Sequence, residues 1–178
     1  MLSSDKSNDG RFFLKKQLIA PDDALQGHSE YQFPVTIPHR VLGGELTEVL
    51  HHPHKIILGL GCFWGAERLF WQQPGVLLTA VGYAGGYTPF PTYDEVCSGQ
   101  TAHAEVVAIA YDPEKISLKK LLALFWESHD PTQGMRQGND RGSQYRSAIY
   151  CQSEDDLNVA LASGDSFQRK LDDAGLGR

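Results

Sequence analysis

The most constraining feature of the chain is a predicted strand that leads directly into a predicted helix. Residues 55–60 (KIILGL) form a short apolar run rich in β-branched side chains, which predicts a buried strand. Gly61 interrupts this run, and residues 62–73 (CFWGAERLFWQQ) then place apolar side chains at helical spacing until Pro74 and Gly75 end the helix. A strand and a helix joined in this way favour a mixed α and β protein.

The same alternation continues along the chain. Strands are predicted over residues 76–83, 104–111 and 145–151, with loops over 84–93 and 129–144. Ser117 and Ser153 are typical N-cap residues, which predicts helices from each of them onward. The order βαβ–βαβ–α is typical of a ferredoxin-like α+β two-layer sandwich, in which helices cover one face of an antiparallel sheet.

The N-terminal third of the chain has a different character. Residues 1–54 contain four prolines and no sustained helical period. We therefore expect a long, loop-rich arm over residues 1–54 that packs on a single catalytic domain formed by residues 55–178.

Composition and charge exclude several classes of partner. The chain has 178 residues and a formal net charge of −6, without a run of Lys and Arg that could neutralise phosphates, so nucleic acid is not an expected partner. Its apolar runs are much shorter than the roughly 20 residues that span a bilayer, and no signal peptide is evident. We expect a cytoplasmic monomer with no membrane contact.

The three cysteines draw attention to one thiol. Three is a low and odd number of cysteines, which disfavours a disulfide scaffold. They contain no C-x-x-C pair, which disfavours a zinc site. Cys62 falls where the predicted strand turns into a helix, and the positive end of a helix favours the thiolate, the nucleophilic form of cysteine. Phe63 and Trp64 follow it as predicted walls of an apolar pocket. The alternative is an ordinary buried thiol.

A dinucleotide site is a weaker interpretation of the same stretch. A strand followed by Gly59-x-Gly61 resembles the beginning of a G-x-G-x-x-G fingerprint. The third glycine position is Trp64, however, which is too large for close approach to a pyrophosphate. No acidic residue lies between Glu67 and Asp94, so the group that would bind the ribose is absent.

Three long motifs carry a family resemblance. They are GCFWGAERLFWQ (61–72), GYAGGYTPFPTYDEVCSGQTAHAEVVAIAYDP (82–113) and FWESHDPTQGMRQGNDRGSQYRSAIY (125–150). Together they resemble the methionine sulfoxide reductase A family, from about residue 12 to the last helix, with Ala102 in place of a family glycine. The resemblance implies reduction of methionine-S-sulfoxide, free and in proteins, to methionine. It implies no cofactor, with thioredoxin or a small thiol as the reductant.

The resemblance also implies the roles of individual residues. Cys62 is the nucleophile and becomes a sulfenic acid. Phe63 and Trp64 hold the methyl group of the sulfoxide, and Glu105 is the acid. The polar end of the site is completed by Tyr93, Asp140 and Tyr145. The chemistry fits, because a sulfoxide oxygen leaves only when protonated, and a carboxyl in apolar surroundings can supply the proton.

Alternatives to these roles stay open at this point. Glu105 could be a solvated strand-edge residue, Tyr93 and Tyr145 half-buried surface aromatics, and Asp140 a turn residue. A cysteine hydrolase would need His103 or His129 as its base. A module that only binds oxidised methionine would use the aromatic pair without chemistry.

The family pattern extends beyond the last residue of this sequence. It continues into another strand and a glycine-rich tail that carries recycling cysteines, whereas the sequence reaches Arg178. We therefore expect the residues present to complete one turnover and then to need an added small thiol.

Overall fold

The computed structural model describes residues 18–176, so the first part of the predicted arm lies outside the described residues. The strands of the described chain are β1 (Lys55–Gly59), β2 (Val76–Ala84), β3 (Ala104–Tyr111), β4 (Arg136–Gln137), β5 (Asp140–Arg141) and β6 (Ala148–Tyr150). Its α-helices are α1 (Phe63–Trp71), α2 (Tyr93–Ser98), α3 (Leu118–Ser128) and α4 (Glu154–Asp173). Short 3₁₀ turns lie between them.

The centre of the fold is a sheet in which every neighbouring pair of strands is antiparallel. Its strand order is β2-β3-β1-β6, and β4 pairs with β5 in a separate hairpin. The predicted combination of helices with an antiparallel sheet is therefore confirmed. The predicted caps are confirmed as well, because the side chains of Ser117 and Ser153 accept the backbone N–H groups of Lys120 and Asp156.

Three predicted elements differ from the structure. Residues 92–98 are not simply the end of a loop, because α2 begins there with a capping box between Thr92 and Glu95. The last strand is shorter than residues 145–151, since Tyr145 donates its N–H to Gly142 and thereby closes a 3₁₀ turn before β6. The predicted loop over 129–144 contains the β4–β5 hairpin, in which Gln137 lies opposite Asp140.

One face of the sheet is covered by helices. The buried side chains on this side include Ile56, Leu58, Phe63, Phe70, Val107, Ile109, Leu121, Leu122 and Phe125. Each large apolar side chain that is fully buried contributes about 1.5–3 kcal/mol. Because alternate residues of a strand share a face, Glu105 points to the same side as Val107 and Ile109. The fold therefore directs a carboxyl group into the layer occupied by α1.

Part of the segment that precedes β1 packs on the opposite face of the sheet. Val49, in the 3₁₀ helix Leu46–His51, packs against Leu78, Ala108 and Ala110. As a result all eight residues of β3 are buried, which explains its nearly continuous apolar sequence.

A buried histidine, His39, joins the segment that precedes β1 to the helical side of the sheet. His39 Nδ1 accepts the N–H groups of Val41 and Leu42, so its proton lies on Nε2. Nε2 donates to Thr79 Oγ1 at 2.9 Å, and that hydroxyl donates to Glu67 Oε1 at 3.1 Å. These two hydrogen bonds thus connect the segment around His39 to β2 and α1.

Helix α4 packs along α3. The indole of Trp126 stacks on Phe167 with ring centroids 5.4 Å apart, and its N–H donates to Ser163. Leu157 and Leu161 remain exposed on the outer side of α4. None of the helices within residues 18–176 is long and apolar enough to cross a membrane.

Candidate active site

The thiol of Cys62 lies at the N-terminus of α1. After β1 the chain turns through Gly61, whose φ of +99° is rarely accessible to other residues. Cys62 then occupies the N-cap position, and its side chain makes no capping hydrogen bond. Ser, Thr, Asp or Asn usually occupies this position with a side-chain oxygen. A half-buried thiol therefore takes the place of that oxygen at the positive end of the helix.

Two distant side chains hold the backbone at this turn. The Cys62 N–H donates to Gln137 Oε1 at 2.8 Å, and the Phe63 N–H donates to Glu105 Oε2 at 3.1 Å. The carboxamide of Gln137 lies against Gly61, since a Cβ added to Gly61 would be 2.5 Å from Cδ of Gln137. Gln137 was not singled out from the sequence, because 75 residues separate it from Cys62 and no local pattern links them.

Glu105 is buried beneath the start of α1. Only 2% of its surface is exposed, so the alternative of a solvated edge residue is wrong. Burial raises its pKa above the ordinary value, the hydrogen bond from Phe63 acts in the opposite direction, and the charge of Asp140 raises the pKa further. This carboxyl consequently retains its proton to higher pH than an exposed glutamate does.

Two tyrosines lie close enough to Glu105 for its charge to raise their pKa values. Tyr83 lies directly opposite Glu105 in the β2–β3 register. Its pKa is raised by burial and then by the charge of Glu105. Burial, followed by the charges of Glu105 and Asp140, raises the pKa of Tyr145 to about 12. Both phenols therefore remain hydrogen-bond donors at neutral pH. Tyr83 was missed from the sequence, although the predicted antiparallel pairing could have placed it near Glu105.

Tyr93 lies beside a second cysteine, Cys97. It is the first residue of α2 and its side chain is largely exposed. A hydrogen bond with the Cys97 thiol, one turn further along α2, is the main cause that raises its pKa, and the charges of Glu105 and Cys62 contribute. Cys97 therefore lies beside a candidate site residue.

The two aromatic residues after Cys62 have different environments. Phe63 is buried, and its ring centroid lies 5.7 Å from that of Tyr83. Trp64 is 78% exposed, so most of its indole surface is accessible. The site thus has an apolar side at α1 and a polar side at Glu105 and the tyrosines. Asp140 is exposed on β5 and acts on the site through its charge.

The two histidines considered as bases are engaged elsewhere. His103 Nε2 lies 2.7 Å from the Thr88 carbonyl, and its Nδ1 accepts the Gly86 N–H. His129 bridges the Phe125 carbonyl and the Ser147 hydroxyl at 2.7 and 2.6 Å, and burial lowers its pKa. Because both ring nitrogens of each residue have partners, the geometry disfavours a Cys–His hydrolase. Within residues 18–176, no group of three or more His, Cys, Asp or Glu side chains could hold a metal ion.

Ala102 is the one departure from the family motif noted in the sequence. It is buried and has a φ of +58°, in the left-handed region that favours glycine. The methyl group therefore carries a local cost of about 1–2 kcal/mol. β3 begins at Ala104, two residues later, and Glu105 is still placed under α1.

Comparisons with known proteins identify one family. The family described as "Peptide methionine sulfoxide reductase" matches residues 54–173. The peptide methionine sulfoxide reductase MsrA of Salinispora tropica is 59% identical over 164 residues, covering 92% of this chain and 74% of that protein. The Ectopseudomonas mendocina protein of the same name is 57% identical over 164 residues, with the same coverage. The structure of methionine sulfoxide reductase A of Corynebacterium diphtheriae matches with a TM-score of 0.84 and 46% identity, covering 91% of this chain and 77% of that one.

Proposed function

Because this chain belongs to the peptide methionine sulfoxide reductase family, we propose that it acts through nucleophilic attack of Cys62 on the sulfoxide sulfur. The chain is an oxidoreductase that reduces methionine sulfoxide to methionine. One observation carries the assignment of the site residues. The backbone N–H of Cys62 donates to Gln137, and the next N–H, that of Phe63, donates to the buried carboxyl of Glu105. The nucleophile and the acid are therefore neighbours.

The proposed mechanism uses the neutral form of Glu105. Its proton passes to the sulfoxide oxygen, while the hydroxyl groups of Tyr93 and Tyr145 donate hydrogen bonds to that oxygen. The Cys62 sulfur attacks and forms an S–S bond as its thiol proton passes to the same oxygen. The oxygen, which now carries two protons, leaves as water. Water then adds to the Cys62 sulfur and returns a proton to Glu105, methionine departs, and Cys62 remains as a sulfenic acid. The methionine sulfur gains the electron pair that Cys62 loses, so the step balances without a cofactor.

The two sides of the site support selectivity for the S epimer. The methyl group would lie against Phe63 and Trp64, and the oxygen would lie among Glu105 and the tyrosine hydroxyls. Burial, and to a smaller extent the negative charge of Asp140, raises the pKa of Glu105 and so favours its acid form. Inversion at sulfur would direct the oxygen to the apolar side, where it would lose its hydrogen bonds.

The reductant is proposed to be a thiol, either thioredoxin or a small molecule. A sulfenic acid condenses with a thiol to form a disulfide, and a second thiol releases the reduced cysteine. The half-buried position of Cys62 supports access by such a partner. The exposed indole of Trp64 likewise supports access by oxidised polypeptides as well as by free methionine sulfoxide.

The finer description of the fold is also a proposal. The strand order β2-β3-β1-β6, with α1 and α3 packed on the same face, supports a ferredoxin-like sandwich. The packing of Val49 and His39 supports one catalytic domain over residues 55–178, on which the arm of residues 1–54 lies.

A single-turnover assay with methionine-S-sulfoxide tests the proposed chemistry. Cys62→Ser should form no methionine, whereas the matched variants Cys97→Ser and Cys151→Ser should each complete the first turnover. Normal product from Cys62→Ser would refute the mechanism. If Cys62→Ser binds the sulfoxide as the parent protein does, and the parent forms no methionine, the chain is only a binding module.

A further inference from the structure

Gln137 contacts the backbone of the nucleophile and belongs to a hairpin that also contains Asp140, whose charge affects Glu105. Its side chain lies at the surface of β4, yet its carboxamide oxygen accepts the N–H of Cys62. We propose that Gln137 is a positioning residue, which fixes the direction of the Cys62 thiol through the backbone. This role rests on the function proposed for Cys62.

The N-cap position explains why an external acceptor has an effect. The N–H of an N-cap residue has no partner within its own helix, and Cys62 has φ −56° and ψ 120°, outside the helical range of ψ. The bond to Gln137 fixes the plane of the peptide that joins Gly61 to Cys62. Because the thiol projects from the adjoining Cα, movement of that plane moves the sulfur.

A second observation supports a dedicated contact. A Cβ on Gly61 would lie 2.5, 2.6 and 2.8 Å from Cδ, Nε2 and Oε1 of Gln137. Real side chains do not approach so closely, so the carboxamide fills the space that a side chain at position 61 would need. Gly61 and Gln137 are therefore complementary in shape as well as joined through Cys62.

The hairpin connects this contact to Glu105. Gln137 pairs with Asp140 across β4 and β5, and the charge of Asp140 acts on Glu105. The hairpin also has its own bracing, because Gln133 Oε1 accepts the Gly138 N–H at 3.0 Å. Gln133 and Gln137 thus each accept one backbone N–H, but only Gln137 contacts the nucleophile.

This pair of glutamines provides a matched experiment. Gln137→Met and Gln137→Asn remove the acceptor or withdraw it by one methylene, and Gln133→Met is the control. The rate constant of the first turnover and the apparent Kd for methionine-S-sulfoxide are measured by rapid quench. We expect the Gln137 variants to react roughly 10–100-fold more slowly, since a displacement of about 1 Å can cost 10²-fold.

The remaining readouts separate positioning from folding and binding. The apparent Kd should stay within about twofold, and the unfolding midpoint within about 4 °C, since the lost bond is at the surface. Gln133→Met should react at about the parental rate. Parental rates in the Gln137 variants, equal losses in Gln133→Met, or a change confined to Kd would each overturn the proposal. Failure of the proposed function itself is distinguishable, because the parent protein would then form no methionine.

Discussion

Replacement of Glu105 by glutamine removes the acidic proton while it preserves the shape of the site. The variant side chain has the same length, and its amide oxygen can accept the Phe63 N–H that Glu105 Oε2 accepts at 3.1 Å. The packing opposite Tyr83 should also persist. An amide cannot supply a proton at neutral pH. We therefore expect the first-turnover rate constant to fall by roughly 10²–10⁴-fold, the usual contribution of general acid catalysis.

The pH dependence gives this prediction a second signature. Burial, as the largest cause, raises the pKa of Glu105, so its acid form persists to higher pH than in an exposed glutamate. Since the acid form reacts, the rate should fall as pH rises through this raised pKa, and Glu105→Gln should lose that fall. The stability of the fold should depend on pH in the same direction. A raised pKa means that any stability linked to the protonated carboxyl is present at low pH and is lost as pH rises through it.

Rapid-quench measurement of methionine formation tests both expectations. The control is Glu127→Gln, which neutralises an exposed carboxyl on α3 and should leave the rate and its pH profile unchanged. An unchanged rate constant in Glu105→Gln, with the alkaline fall retained, would show that the proton comes from another group.

Three further outcomes are expected. Chiral chromatography of a racemic sulfoxide should show consumption of the S epimer alone, and comparable loss of both would refute the two-sided site. Trp64→Ala should raise the apparent Kd for the sulfoxide by roughly tenfold, as expected when an aromatic anchor is removed. Its free energy of unfolding in urea should change by less than about 1 kcal/mol, because the indole is exposed. An unchanged Kd would show that Trp64 does not bind the substrate. Phe70→Ala should lower the free energy of unfolding by about 3–5 kcal/mol, since this ring is fully buried between α1 and the sheet; a loss below about 1 kcal/mol in urea would contradict this packing.

Local patterns predicted the elements that create the site. The apolar run of β1, the break at Gly61 and the helical spacing of α1 were sufficient to place Cys62 at a helix N-terminus. Ser117 and Ser153 predicted their helix starts because capping depends on neighbouring backbone groups. Thr92 and Glu95 carry the same kind of signal for α2, but they lie in a segment whose glycines and prolines favour a loop.

Contacts between distant segments could not be predicted in this way. The bond from Cys62 to Gln137 depends on where the β4–β5 hairpin lies relative to β1, and nothing in either segment alone specifies that distance. The burial of Glu105 likewise depends on α1 lying over the end of β3. Strand alternation does not specify which elements pack on the face that carries this carboxyl, and its burial there results from the position of α1.

The most direct test of the account is to identify the sulfur that is oxidised in the first turnover. The protein is mixed with methionine-S-sulfoxide without a reductant, treated with dimedone, which labels sulfenic acids, and analysed by peptide mass spectrometry. The account predicts about one methionine per protein, with the label on Cys62, and neither product nor label in Cys62→Ser. Methionine formed with the label on Cys97 or Cys151, or formed equally well by Cys62→Ser, would contradict it.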